Sequence, residues 1–162
     1  MRGCRGLGRA DATTMASMTD PDSRAAFAAM TKMLITDYRA HGGHVTSGPF
    51  AGRPVLLLTT TGAKTGQPRL APLVYSRDGD DYVIVASKGG APTHPAWYHN
   101  LVANPVVTVE VGGETFEARA RVTEGAERDR LFAERATASP NFAEYQRRTT
   151  RVIPVVVLTR LG

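Results

Sequence analysis

Apolar positions follow two rhythms along this chain. Beyond an aperiodic stretch over residues 1–22, Phe27, Met30, Leu34 and Tyr38 recur at spacings of three and four, the period of one helical face. The spacing predicts an amphipathic helix over Ser23–Ala40, capped by Asp20 or Asp22 and ended by Gly42-Gly43. Val55–Thr60 is a continuous apolar run with β-branched ends, which suits a strand buried on both faces. Leu70–Ser76 and Tyr82–Ser87 flank Asp78-Gly79-Asp80-Asp81, a hairpin signal, and Val106–Val111 joins Thr115–Val122 through Gly112-Gly113. A short helix over His94–Ala103 stops at Asn104-Pro105, another follows over Glu124–Ala138, and a third runs from Ser139-Pro140 to Arg147. Arg151–Thr159 reads as the last strand.

Strands in neighbouring hairpins make an antiparallel sheet. The expected fold is therefore α+β, mainly β: about six strands curled into a small barrel with helices outside. Residues 1–22 read as a disordered tail and 23–162 as one domain, since 162 residues suit one modest core better than two.

Composition narrows the partners. No uncharged apolar run is long enough to cross a membrane, and no apolar h-region follows the early arginines. The lone Cys4 offers neither an internal disulfide nor a metal cluster, which fits a reducing, cytoplasmic setting. Twenty Lys and Arg outnumber fifteen Asp and Glu, for a net charge of +5. The distribution matters more, because Asp and Glu are absent from Tyr38 to Arg77 and again from Tyr82 to Val109. Cations in such stretches have no neighbouring carboxylate to neutralise them and are free to meet an anion.

Two glycine loops carry those cations. Thr59-Thr60-Thr61-Gly62-Ala63-Lys64-Thr65-Gly66-Gln67-Pro68-Arg69 leaves a buried strand with hydroxyls, amides and two cations, a set able to hold a phosphate. It departs from a Walker A loop, whose Lys and Ser/Thr follow the second glycine. Ala86-Ser87-Lys88-Gly89-Gly90-Ala91 repeats the combination after another strand. Side by side, the loops would gather Lys64, Arg69 and Lys88 around one elongated polyanion. Trp97, on the helix between Pro95 and Asn100, suits either a core or the wall of a flat ring system, and Asn100 offers amide donors and acceptors.

Other chemistries lack their parts. His94 and His99 are five apart, not the spacing of paired helical metal ligands, so no metal site is expected. There is no G-x-S-x-G elbow, and Asp78, Asp80 and Asp81 read as turn residues. No nucleic-acid-reading motif accompanies the basic charge. A bound cofactor must then supply the reaction.

At these segments the sequence resembles the deazaflavin-dependent nitroreductase family, split β-barrel oxidoreductases that use coenzyme F420. The resemblance rests on Leu56-Leu57-Leu58-Thr59-Thr60-Thr61-Gly62, Lys64-Thr65-Gly66-Gln67-Pro68-Arg69, Ala86-Ser87-Lys88-Gly89-Gly90, His94 to Leu101 with Ala103-Asn104-Pro105, and Arg151 to Val157, in that order. It implies that Lys64, Thr65, Gly66 and Arg69 hold the phosphate and oligoglutamate tail. By the same resemblance Pro72, Ala86, Ser87, Lys88 and Gly89 lie near ring and phosphate, and Trp97 and Asn100 border the pocket. Ala63 stands where the family commonly has arginine. Phe142 and Tyr145 match the acceptor-binding segment, with Tyr145 a candidate proton donor.

The implied activity is hydride transfer from the reduced deazaflavin to quinones, enones or nitroaromatic electrophiles. Phe142 replaces a family tyrosine, which favours quinones or enones. Alternatives are a related split barrel using FMN and an F420 carrier without catalysis. The amphipathic first helix, with Lys32 and Arg39 near its polar side, leaves peripheral membrane contact open, and a dimer is compatible with the pattern.

Overall fold

The structure, a computed structural model, describes residues 21–48 and 50–161. Residues 1–20 of the expected tail, with Cys4 and the Asp20 cap, lie outside the described residues. Helix α1 spans Pro21–Ala40 and so starts two residues before the expected Ser23, because a proline in the first helical turn forfeits no hydrogen bond. Its inward face is Leu34, Ile35 and Tyr38, whereas Met30 faces solvent, contrary to the predicted apolar stripe. Two side chains pin its end to the sheet: Arg39 forks onto the Glu110 carboxylate at 2.9 and 3.1 Å, and the Tyr38 hydroxyl donates to the Glu110 carbonyl at 3.2 Å.

Seven strands follow: β1 Val55–Thr61, β2 Pro68–Val74, β3 Ser76–Asp78, β4 Asp81–Val85, β5 Val106–Val111, β6 Glu114–Val122 and β7 Val155–Arg160. They form one antiparallel sheet in the order β2-β1-β5-β6-β7-β4-β3. Its two edges, β2 and β3, are consecutive in the chain with only Tyr75 between them. The sheet therefore curls until its edges meet at that bend. Here lies the difference from the expected six strands: the run predicted over Leu70–Ser76 breaks at Tyr75, whose N–H makes the last in-register bond to β1, to the Pro54 carbonyl at 3.0 Å, while Pro54 has no N–H to return.

Alternation sorts each strand between two environments. Leu56, Leu58, Tyr82, Ile84, Val156 and Leu158 fill the barrel interior. Their neighbours Val55 and Leu57 lie under α1, while Val83, Val155 and Val157 lie under Leu131 and Phe132 of helix α3, Gly125–Ala138. Burial on both faces is why these strands read as unbroken apolar runs. Strand β6 has one covered face, so buried Phe116, Ala118 and Ala120 alternate with exposed Glu117, Arg119 and Arg121. Gly112 and Gly113 join β5 to β6 with φ of 58° and 84°, the two positive values that a type I′ turn requires.

The two remaining helices position the site. Helix α2 is Ala96–Ala103, and Pro95 caps it, so the expected start at His94 is two residues early. Helix α4 is Asn141–Arg147. Strand β7 begins at Val155 instead of Arg151. Residues 151–153 are drawn out of the ladder by Gln146, which donates from Nε2 to the Arg151 carbonyl at 2.7 Å and accepts from the Ile153 N–H at 3.0 Å.

Candidate functional site

The connection from β1 to β2 folds on itself. The Gly62 N–H donates to the Gln67 carbonyl at 2.8 Å, the Gly66 N–H to the Gly62 carbonyl at 2.9 Å, and the Gln67 N–H to Thr65 Oγ1 at 3.2 Å. From α2, Asn100 reaches into this loop. Its Oδ1 accepts from the Ala63 N–H at 2.9 Å and its Nδ2 donates to Thr60 Oγ1 at 3.1 Å. Asn100 and Thr60 are both buried, so the bond between them is shielded from water. At the C-terminal cap of α2, Asn104 Nδ2 donates to the Thr61 carbonyl at 3.4 Å.

Between loop and helix lies a cleft of about 460 Å³. Lys64, Thr65 and Arg69 line one side, Trp97, His99 and Asn100 the other, with Leu70 and Ala71 among the apolar lining. Trp97 is at once core and wall, since it also belongs to the barrel's main apolar cluster. Among the described residues no acidic residue lines the cleft. Gly66 stands exposed at the loop tip, and Pro72 is half-buried on β2 opposite Leu57. His99, weighed in the sequence only as a metal ligand, reaches this wall through the docking of α2 on the loop.

The second loop is built differently. Ala86 and Ser87 are buried, and the Ala86 N–H donates to the Pro154 carbonyl at 2.9 Å. Lys88, Gly89 and Gly90 then form one 3-10 turn that packs on α4. Gly90 is obligatory there: its φ is 83°, and a Cβ would come within 2.8 Å of the Tyr145 carbonyl oxygen. Lys88 has a φ of 47°, a left-handed conformation that an L side chain adopts at a cost. Its Nζ lies 3.4 Å from Thr93 Oγ1. Lys88 is not among the residues lining the cleft, so the expected gathering of three cations resolves into Lys64 and Arg69 on one wall and Lys88 at the far end of the segment leading into α2. On α4, Phe142 and Tyr145 form an edge-to-face pair with centroids 5.7 Å apart.

Arg151 holds this second loop in shape, a role no local pattern announces. Its Nη2 donates to the Ser87 carbonyl at 2.8 Å, Nε to the Ala91 carbonyl at 2.9 Å, and Nη1 to the Ala86 carbonyl at 3.2 Å and to His94 Nδ1 at 2.8 Å. Burial, then the positive Arg151 and His99, push the His94 imidazole below its usual pKa. The partners of Arg151 lie about sixty residues upstream, beyond the reach of any period. Arg128 of α3 braces the same region, donating to the Ile153 carbonyl at 2.8 Å and to Gln146 Oε1 at 2.9 Å.

Comparison with known proteins decides among the cofactor chemistries such a cleft admits. The profile of the F420H2-dependent quinone reductases matches residues 30–160. The chain belongs to this family. It is 49% identical over 126 residues to the F420H2-dependent quinone reductase Rv1261c of Mycobacterium tuberculosis strain H37Rv, covering 76% of this chain and 85% of that one. Among solved structures, the F420-H2 dependent reductase FDR-A matches with a TM-score of 0.60 and 46% identity, over 65% of this chain and 94% of that one. A domain-swapped dimer matches with a TM-score of 0.62 and 41% identity, over 76% and 93%. HutZ of Vibrio cholerae, at 16% identity and a TM-score of 0.53 over 82% and 91%, shares the fold alone.

Membership makes the chain an oxidoreductase with a split-barrel fold and F420 as its cofactor; it gives no support to the FMN alternative. Peripheral membrane contact also gains no support. Among the described residues no helix is long and apolar enough to cross a membrane.

Proposed function

We propose that this F420H2-dependent quinone reductase holds its cofactor in the cleft between the β1–β2 loop and α2 and receives its quinone from the side of α4. The observation that carries the reading is the cleft's charge: Lys64 and Arg69 line it, and among the described residues no carboxylate joins them there. The donor set fits an anionic, flat cofactor. A cleft of about 460 Å³ falls in the range of small-molecule sites, two cations meet phosphate and tail carboxylates, and the indole of Trp97 meets a planar ring.

Bound and reduced, F420 supplies a hydride from C5 to the acceptor. The chain's own residues do the rest. Asn100 holds the Ala63 amide and Thr60 hydroxyl in place, so the loop carrying Lys64 arrives already shaped, which lowers the ordering cost of binding. Thr65 Oγ1 accepts from the Gln67 N–H and keeps its own proton to donate. Arg151 fixes the Ser87 carbonyl and the turn behind it, and Lys88 places a positive charge where an acceptor oxygen gains electron density. Phe142 and Tyr145 shield the acceptor from water, with Tyr145 able to give a proton from its hydroxyl.

Anaerobic titration of the protein with reduced F420, followed by menadione, tests the whole reading. Saturable binding and loss of the reduced-cofactor absorbance on adding quinone are the expected results. Binding without turnover across a panel of quinones would reduce the protein to a carrier.

A further inference from the structure

Most arginines of the described residues end on an acceptor. Arg39, Arg121, Arg130 and Arg160 bond carboxylates, and Arg128 and Arg151 bond carbonyls. Arg135 does not. It sits in the last turn of α3, only 7% exposed, and its Nε is buried without a hydrogen-bond partner among the described residues. Burial lowers its pKa, and the like charge of Arg53 lowers it further.

Arg53 comes from the chain just before β1 and reaches the same helix end, where its Nη2 donates to Ser139 Oγ at 3.3 Å. Arg53 and Arg135 thus approach the same helix end, and among the described residues neither bonds a carboxylate. The negative end of the α3 dipole and the Phe142 ring, 5.1 Å from the Arg135 guanidinium carbon, offset part of that cost. Neither supplies an acceptor for Nε. A buried guanidinium with no acceptor for its Nε, beside a half-exposed one, matches a planar oxyanion, which accepts two parallel N–H bonds.

Location narrows the ligand. Phe142 stacks on Arg135 with one face and pairs with Tyr145 on the helix that packs against the Lys88–Gly90 turn. We propose that Arg135 and Arg53 form an oxyanion-binding site that takes a carboxylate carried by the electron acceptor. The acceptor half rests on the reading of α4 given above; the anion half does not.

Two arms separate these halves. In the first, the full chain without cofactor is melted in sodium benzoate, in inorganic phosphate and in sodium chloride at matched ionic strength. Saturating benzoate should raise Tm by about 3 °C over chloride, and the shift should vanish in Arg135→Met and in Arg53→Gln. Should Arg135→Met fail to fold, the half-exposed Arg53→Gln and the charge-keeping Arg135→Lys still decide, the latter retaining only part of the shift. No shift in the wild type, or an equal shift in Arg53→Gln, overturns the site. A shift with phosphate but not benzoate overturns the carboxylate assignment.

The second arm measures KM for a naphthoquinone bearing a carboxylate and for menadione. The ratio of the carboxylated to the neutral KM should rise about tenfold in Arg53→Gln, the loss of one charge-assisted bond. An unchanged ratio beside a benzoate shift overturns the acceptor assignment and leaves the anion site. If neither quinone is reduced by the wild type, the redox reading has failed, and the melting arm alone rules on the site.

Discussion

Arg151 Nη1 lies 2.8 Å from His94 Nδ1, and a guanidinium can only donate. That ring nitrogen is therefore the acceptor, and the imidazole proton sits on Nε2. The same arginine holds the carbonyls of Ala86, Ser87 and Ala91, so one side chain from the segment before β7 sets both the second loop and the tautomer of the histidine ahead of α2.

Protonation of His94 must break that bond and place a cation against Arg151. Because the folded pKa is held below the ordinary value near 6.5, the unfolded chain binds the proton more readily. Stability is whole above about pH 6.5 and falls as pH drops through the window beneath it. His99 and Tyr98, whose rings lie 5.7 and 4.6 Å from His94, face the same imidazole. Denaturant melts from pH 7.5 to 5 should show the decline in the wild type and a flatter line in His94→Asn, which keeps an acceptor that does not titrate. Arg151→Met should lose about 2–4 kcal/mol at pH 7.5, since it removes several charge-assisted bonds at once.

Asn100, which the sequence offers to the cofactor, lines the cleft while one donor and one acceptor of its amide are held by Thr60 and Ala63. Asn100→Ala should cost about 1–3 kcal/mol of stability, because a buried hydroxyl and a backbone N–H lose their partners. Cofactor Kd should rise with it as the loop bearing Lys64 loses its brace. Asn100→Ala with full stability would show that the two bonds do not form in solution.

The legibility of this chain follows the range of its interactions. Strands with both faces covered announce themselves as apolar runs, and Gly112-Gly113 fixes a hairpin by local sterics alone. The break at Tyr75 is not local: it exists because the sheet must close, with Ser76 pairing Val83 while Val74 pairs Val55. The same holds for the site. Lys64 and Arg69 could be placed on one loop by eye, yet the separation of Lys88 from their cleft depends on how the Lys88–Gly90 turn folds under α4. Arg151 lay inside a block that marked the family resemblance and carried no role there, because its partners belong to another part of the chain.

Lys64→Ala and Arg69→Ala should each weaken F420 binding, by roughly tenfold at low salt if each loses one charge-assisted contact. Both side chains are exposed, so stability should stay within about 0.5 kcal/mol. The salt dependence of Kd should flatten in each variant and most in the double. Wild-type affinity in both single variants would move the anionic tail to another surface.

Tyr145 pairs edge-on with Phe142 and has the Arg148 guanidinium 5.8 Å from its ring centre. Tyr145→Phe keeps the ring pair and removes only the hydroxyl. If that hydroxyl gives the proton, turnover at saturating cofactor should fall by 10²- to 10⁴-fold, the usual share of general acid catalysis, with little change in the quinone KM. An unaltered turnover number would leave Tyr145 as packing and assign the proton to water.

Lys88 carries two separable features, a charge and a left-handed backbone with φ of 47°. Lys88→Ala and Lys88→Gly both remove the charge, but only glycine is free of the Cβ clash, which costs about 1–2 kcal/mol in that region. Glycine gives back about 0.4–1 kcal/mol through the unfolded state, so Lys88→Gly should be equal to or as much as about 1.6 kcal/mol more stable than Lys88→Ala. A clear advantage for alanine would mean that the turn relaxes out of this conformation in solution. Turnover then separates the features. If the ammonium stabilises developing charge on the acceptor, both variants lose kcat alike. If glycine loses more than alanine, the strained turn itself holds Ser87 in place for the reaction, and the charge is secondary.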